Sequence, residues 1–267
     1  MSNLFTNTAQ LNYRYDGPSE GPVLVLINAL GTELSLWNGL VSEIQCHLPT
    51  VRLLRYDLRG QGKSPTPAPP YTIEDHTADL MALLDKLGIK EAVFCGLSIG
   101  GLIAQCITKN HVSRVKGLVL IGTAAKIGSE QSWDTRIEQV NEAGLVSLSD
   151  NIMKVWFSRQ FHQQHPEKVA DTKKQLERTS KTGYLGSCEA LKTADYRGSL
   201  EGIRLPTMCV VGQEDGSTPP DVVKELAASL CGAQMHTLDD AAHMLPVEKP
   251  QQLARMLAAF YDEYALL

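Results

Sequence analysis

Ala92-Val93-Phe94-Cys95-Gly96-Leu97-Ser98-Ile99-Gly100-Gly101-Leu102-Ile103-Ala104-Gln105-Cys106-Ile107 decides the fold of this 267-residue chain. Ala92 to Cys95 is short, apolar and rich in strand formers, and Gly101 to Ile107 reads as a helix. A G-x-S-x-G pattern between the two predicts a tight strand-to-helix turn that lifts the Ser98 hydroxyl above the edge of a sheet. Gly96 and Gly100 leave room for the chain reversal where a Cβ would clash. The bare pattern also arises by chance in ordinary loops. Its strand and helix flanks make it a nucleophile elbow.

A serine hydroxyl is a weak nucleophile at neutral pH and needs a base, itself oriented by a third group. In elbow proteins the order along the chain is Ser, then Asp or Glu, then His. Pro206 to Gly212 reads as a late strand, followed by the loop Gln213 to Pro220. Asp215 is the candidate acid and Glu214 the alternative, since neighbours leaving a strand point opposite ways. The plainer role for Asp215 is to shape a turn; chain order and the preceding strand favour the acid. Gln234 to Leu238 reads as one more strand, and His243 lies in the loop after it. His236 sits within that strand and is a poor base. His47, His76, His111, His162 and His165 lie in polar contexts and read as surface residues. Asp239, Asp240 and His243 suggest a metal cluster, but no second ligand set supports one, so no metal is expected.

An acyl-transfer site also needs N–H donors for the oxyanion. One is the residue after the nucleophile, Ile99, at a helix N-terminus. The other comes from the loop after an earlier strand. Val23 to Ile27 is that strand and Asn28-Ala29-Leu30-Gly31-Thr32 the loop, with Leu30 the expected donor.

Composition is that of an ordinary globular protein, 43% hydrophobic and 21% charged. A net charge of −5 gives no reason to expect a nucleic-acid or anionic-membrane partner. No apolar run is long enough to span a bilayer. Met1 to Asn7 has neither the basic start nor the apolar stretch of a secretory signal. The six cysteines (Cys46, Cys95, Cys106, Cys188, Cys209, Cys231) are scattered singly, as free thiols of a reducing compartment are, so a cytoplasmic protein is expected.

Strands at Leu11–Tyr15, Val23–Ile27, Val51–Tyr56 and Val115–Ile121 alternate with helices at Leu36–Cys46 and Ile73–Leu87, the latter capped by Thr72 and closed by Gly88. This alternation predicts a mostly parallel sheet with helices on both faces. From Ala124 to Gly186 no strong strand appears. Helices read at Ser129–Ala143, Leu148–Phe157, Pro166–Ser180 and Tyr184–Ala194, which predicts a helical lid over Ser98. The expected domains are a core of residues 1–123 and 187–267 and a lid of residues 124–186. The chain closes on an amphipathic helix, Pro250 to Tyr264. Tyr56 to Ser64 resembles a phosphate-binding loop only in its Gly62-Lys63-Ser64 end; the first glycine would fall on Asp57, so the spacing fails. Asp57 and Arg59 read as braces of a tight turn.

Together these residues resemble the α/β-hydrolase superfamily over nearly the whole chain. Within it the sequence looks most like the 3-oxoadipate enol-lactonases of the β-ketoadipate pathway. That likeness rests on Asn28-Ala29-Leu30-Gly31-Thr32 with Leu36-Trp37, Arg55-Tyr56-Asp57-Leu58-Arg59-Gly60, Leu97 to Gly101, Thr123 to Gly128 with Trp133, and His243 to Glu248. Asn28-Ala29 and Gln61 depart from common superfamily usage, which has His-Gly and often His there. A decarboxylase fused after the hydrolase, as some family members carry, is not expected beyond Leu267.

The resemblance implies a Ser98-His243-Asp215 triad, with Leu30 and Ile99 amides at the oxyanion, opening a small lactone that carries a carboxylate. No cofactor is implied, and the oligomeric state is left open. Trp133, Lys126 and Arg136 are the candidate binders of that carboxylate. The plainer roles are lid packing for Trp133 and solvated surface charge for Lys126 and Arg136. A carboxylesterase, a carbon–carbon bond hydrolase and a low-turnover receptor share the fold. Haloalkane dehalogenases and epoxide hydrolases, whose elbow nucleophile is Asp, are disfavoured by Ser98.

Overall fold

The computed structural model describes residues 11–267, so the Met1–Asn7 stretch read as non-secretory lies outside the described residues. The first half runs β1 (Tyr13–Asp16), β2 (Val23–Ile27), α1 (Asn38–His47), β3 (Arg52–Tyr56), α2 (Ile73–Lys86), β4 (Ala92–Leu97), α3 (Ile99–Asn110) and β5 (Val115–Ile121). Five helices follow: α4 (Glu130–Ala143), α5 (Val146–Trp156), α6 (Arg159–Gln164), α7 (Pro166–Arg178) and α8 (Lys181–Thr193). The chain then re-enters the sheet through β6 (Thr207–Gly212), α9 (Pro220–Ser229) and β7 (Gln234–Leu238), and ends with α10 (Leu245–Glu248) and α11 (Pro250–Glu263).

Among the described residues, seven strands form one sheet in the order β1-β3-β2-β4-β5-β6-β7, with β1 antiparallel to β3 and the others parallel. Every residue of β2, β4 and β6 is buried, as expected of parallel strands covered on both faces. The fold class read from strand–helix alternation is the one found. Strand order reverses at β2 and β4, where Ile27 pairs with Gly96. Loops leaving two such strands diverge and open a crevice beyond their carboxyl ends. The chain places the Asn28 loop on one side of that crevice and Ser98 on the other.

Local signals explain the element ends. The Thr72 hydroxyl accepts from the Asp75 amide at 3.0 Å, and the Asp75 carboxylate accepts from the Thr72 amide at 2.9 Å. This reciprocal cap fixes the start of α2 and is worth about 1 kcal/mol. Asp57 braces its turn as expected, accepting from Leu34 N at 2.7 Å, Lys63 N at 2.9 Å and Asn12 Nδ2 at 2.7 Å. Arg59 grips Asp79 through Nε at 2.7 Å and Nη2 at 2.8 Å.

One expectation needs correction. His76 is no surface residue: it is buried, edge-on to the Tyr71 ring, with Nε2 at 3.4 Å from Ser187 Oγ. Its polar neighbours conceal that His76 falls on the inner stripe of α2, three residues after Ile73 and four before Leu80. The boundary drawn at residue 186 falls inside α8. A Cβ on Gly186 would lie 2.5 Å from Tyr71 Cε2, so this glycine is a contact between α8 and the loop before α2. Gly183 and Gly60 meet in the same way, backbone on backbone. Among the described residues, no helix is long and apolar enough to cross a membrane, and all six cysteines are free.

Candidate active site

Ser98 occupies the turn between β4 and α3 with φ of +58°, a region that L-residues other than Gly avoid and that is retained under strain at functional sites. Its backbone is pinned on both sides. The Ser98 amide donates to Ile121 O at 3.0 Å, and its carbonyl accepts from Thr123 Oγ1 at 2.7 Å and Gly101 N at 2.9 Å. The flanking glycines are required by contact. A Cβ on Gly96 would lie 2.2 Å from Gly100 O, and one on Gly100 2.3 Å from Ile27 O.

Ile99 is the first residue of α3, so its N–H is among those with no acceptor inside the helix, at the positive end of the helix dipole. Opposite it, the loop after β2 is held by side chains that depart from common usage. Asn28 Oδ1 accepts from Trp37 Nε1 at 2.7 Å, and Gln61 Oε1 accepts from Thr32 N at 3.1 Å. Thr32 Oγ1 donates to Ala29 O at 2.9 Å. Leu30 and Ala29 line the same cavity as Ser98.

Asp215 and His243 meet in the interior, His243 Nδ1 lying 2.8 Å from Asp215 Oδ2. A carboxylate only accepts, so Nδ1 carries the proton and Nε2 is the free basic nitrogen. Asp215 is further fixed by Ser217 N at 2.8 Å, Thr218 N at 2.9 Å and Thr218 Oγ1 at 3.0 Å. Glu214 points out instead and accepts from Arg159 N at 3.2 Å. Gly122, with φ of +46°, lies beneath the pair; a Cβ there would sit 2.9 Å from Asp215 Oδ2 and 3.1 Å from His243 Nδ1. Asp239 and Asp240 are exposed, whereas His243 is buried, so the three do not form a cluster.

Ser98 and His243 line a cavity of about 430 Å³, within the size range of small-molecule sites. The inserted helices supply its upper wall, including Trp133, Arg136, Trp156 and Tyr184. Among the described residues, Arg136 is the one Lys or Arg side chain in the lining, and no Asp or Glu joins it. Its Nη1 donates to Tyr184 Oη at 3.2 Å, and its guanidinium carbon lies 5.7 Å from the Trp133 ring centroid. Burial pushes the Tyr184 phenol up to about 12, so it keeps its proton.

The three carboxylate-binding candidates separate. Trp133 lines the cavity, but its indole N–H is spent on Ile127 O at 2.7 Å, so it contributes a ring face and no free donor. Arg136 faces the cavity. Lys126 does not; it lines a separate cavity and pairs with Asp195 at 3.8 Å. Ile127 and Gly128 turn toward Ser98, and Lys126, immediately before them, turns away. Tyr184 is the residue that sequence reasoning missed. Nothing in its spacing marks it, because the docking of Gly183 on Gly60 sets the rotation of α8.

A family model described as the alpha/beta hydrolase fold matches residues 22–250. The 3-oxoadipate enol-lactonase 2 of Acinetobacter baylyi is 36% identical over 262 residues, spanning 97% of each chain. The 3-oxoadipate enol-lactonase 1 of the same organism is 30% identical over 250 residues, spanning 94% of this chain and 92% of its own. Among solved structures, the enol-lactonase of Burkholderia xenovorans matches with a TM-score of 0.91 at 36% identity, covering 96% of this chain and 98% of that one.

Proposed function

This chain belongs to the α/β-hydrolase family and is a hydrolase, and from that premise we propose that it hydrolyses 3-oxoadipate enol-lactone to 3-oxoadipate, a step of aromatic catabolism, through Ser98, His243 and Asp215. Ser98 Oγ attacks the lactone carbonyl while His243 Nε2 takes the serine proton. Asp215 holds the ring in the required tautomer and stabilises the imidazolium that forms. The Leu30 and Ile99 amides receive the developing oxyanion; one such donor is worth about 3 kcal/mol of barrier.

Collapse of the tetrahedral intermediate breaks the ring C–O bond. His243 returns the proton to the departing enol oxygen, and the enol becomes a ketone. The leaving group stays tethered through the acyl chain. Water, deprotonated by His243, then attacks the acyl-enzyme, and collapse releases the second carboxylate and restores Ser98. The sum is lactone plus one water giving the keto diacid.

The observation that carries the substrate class is Arg136, among the described residues a lone cation in a lining without acidic side chains, beside Ser98 and His243. It suits a substrate with one free carboxylate, held by charge-assisted hydrogen bonds. The names of the relatives support the same reading.

The test is steady-state turnover of the enol-lactone against short p-nitrophenyl esters, for wild type and Ser98→Ala. Fast lactone turnover, slow ester turnover and a loss of at least roughly 10³-fold in Ser98→Ala are expected. Good ester turnover with negligible lactone turnover would keep the triad and overturn the substrate.

A further inference from the structure

Glu248 lies 5 residues after His243 at the end of α10, and its carboxylate is mostly buried. Its two oxygens go to two different segments. Oε1 accepts from the amide of Ala242 at 2.8 Å, the residue before His243. Oε2 accepts from the amide of Ser158 at 2.9 Å, 90 positions away in the chain at the start of α6. A third bond completes the seam, the Met244 amide donating to Trp156 O at 3.0 Å. Residues 156–158 of the helical insertion and 242–244 of the histidine loop are therefore tied by three hydrogen bonds, two of them on one carboxylate. Each segment sends one side chain to the cavity wall, Trp156 from one and His243 from the other.

We propose that Glu248 is a positioning residue that fixes the His243 loop and the Trp156 wall of the cavity as one unit. A carboxylate that only closed the turn of α10 would need one acceptor. Burial pushes this carboxyl above its ordinary range, and hydrogen bonds from the Ser158 hydroxyl and the Ser158 and Ala242 amides act against that push. Each of its oxygens accepts from one of the two amides. Small errors in the placement of a base cost up to about 10²-fold in rate. The inference rests on the triad reading and is independent of which ester is the natural substrate.

Glu248→Gln keeps the shape and replaces one acceptor oxygen by an amide that faces an N–H. Its kcat for the lactone is expected to fall about tenfold and its KM to rise severalfold. Labelling of Ser98 by a fluorophosphonate should slow in parallel, while Glu248→Asp restores part of both. Ser158→Pro deletes the N–H that reaches the carboxylate from the α6 side and leaves that of Ala242 in place. It fits the backbone, since Ser158 has φ of −64° and Phe157, before it, is extended with φ of −120° and ψ of 142°. Proline also removes the hydroxyl that caps α6, so Ser158→Ala is its reference, and the difference between the two reads the N–H alone. KM is expected to be at least threefold higher in the proline variant.

The proposal is overturned if Glu248→Gln matches wild type, and Ser158→Pro matches Ser158→Ala, within twofold in kcat, KM and labelling rate. It is also overturned if Glu248→Gln lowers only the melting temperature. Should Glu248→Gln not fold, the Ser158 pair decides alone. Wild type that labels but does not turn over lactone overturns the substrate reading and leaves this inference to be read from labelling.

Discussion

Tyr184 Oη accepts a hydrogen bond from Arg136 Nη1 at 3.2 Å, and both side chains line the cavity that holds Ser98 and His243. The phenol keeps its proton, because burial pushes it up to about 12. A phenol oxygen that accepts from a guanidinium directs its own O–H elsewhere. The pair thus presents guanidinium N–H groups and one O–H to the cavity, where the carboxylate of the proposed substrate would meet them. Arg136→Gln should raise KM for the lactone by about 10- to 100-fold, the range for losing a hydrogen bond to a charged group. Its kcat should change far less, since the bond is made in ground and transition states alike. Tyr184→Phe should give a smaller rise, about 3- to 10-fold. Steady-state kinetics on the lactone and on p-nitrophenyl acetate check this; an equal loss on the neutral ester would assign Arg136 to lid packing.

Gly122 carries a different prediction, about geometry rather than charge. Its φ of +46° and the 2.9 Å approach of a notional Cβ to Asp215 Oδ2 leave no space for a methyl group. Gly122→Ala should push the carboxylate and the imidazole apart, because Asp215 is held by three other donors and yields less than the ring. A fall in kcat of about 10²-fold or more is expected. Strain at the residue adds about 1–2 kcal/mol of destabilisation. Kinetics with a denaturant melt separate the two effects; a variant with normal kcat would show that the contact is relieved elsewhere.

The nucleophile turn is legible in Gly96-Leu97-Ser98-Ile99-Gly100 because each glycine answers a contact within a few residues or on the next strand. The Asp215–His243 meeting is legible because parallel strands deliver their following loops to one edge of the sheet. His76 was legible too, on the helical spacing of Ile73, Leu80 and Leu84, but its charged neighbours outweigh that spacing in a composition-based reading. Lys126, Arg136 and Tyr184 are a harder case. Whether Arg136 and Tyr184 face the cavity depends on how α4 and α8 rotate against each other and against the Gly60 turn, and Lys126 lies in the loop before α4. Such rotation is set by packing between segments far apart in the chain, so no local pattern records it. Glu248 is legible as a residue and illegible as a link, since its second partner lies 90 positions away.

Thiol reactivity should follow burial. Cys46 and Cys231 are exposed, and Cys95, Cys106, Cys188 and Cys209 are buried. Burial pushes Cys188 and Cys209 each up to about 12, and thiolate is the reactive form. Titration of the native protein with a disulfide reagent should give two fast thiols, and the remaining four only on unfolding. A third fast thiol in the native state would show that one of the buried four opens to solvent.

His76 sets a pH dependence of stability. Burial, reinforced by the Arg59 charge, lowers its ring from 6.5 to about 3. The folded state therefore holds the neutral imidazole wherever pH exceeds about 3, whereas the unfolded chain protonates near 6.5. Above 6.5 both states are neutral and the site is silent. As pH falls from 6.5 toward 3 the unfolded state gains the proton first, so stability is lost in that window at up to about 1.4 kcal/mol per pH unit. His76→Gln removes the titration and keeps a polar side chain against Ser187 Oγ. Urea unfolding at pH 6.5 and 5.0 should show wild type losing about 1.6 kcal/mol more than His76→Gln over that interval. Other groups titrate alike in both proteins and cancel in the difference. Equal losses would mean that the His76 ring reaches water in the folded state, and that the contact between α2 and α8 opens more readily than its packing implies.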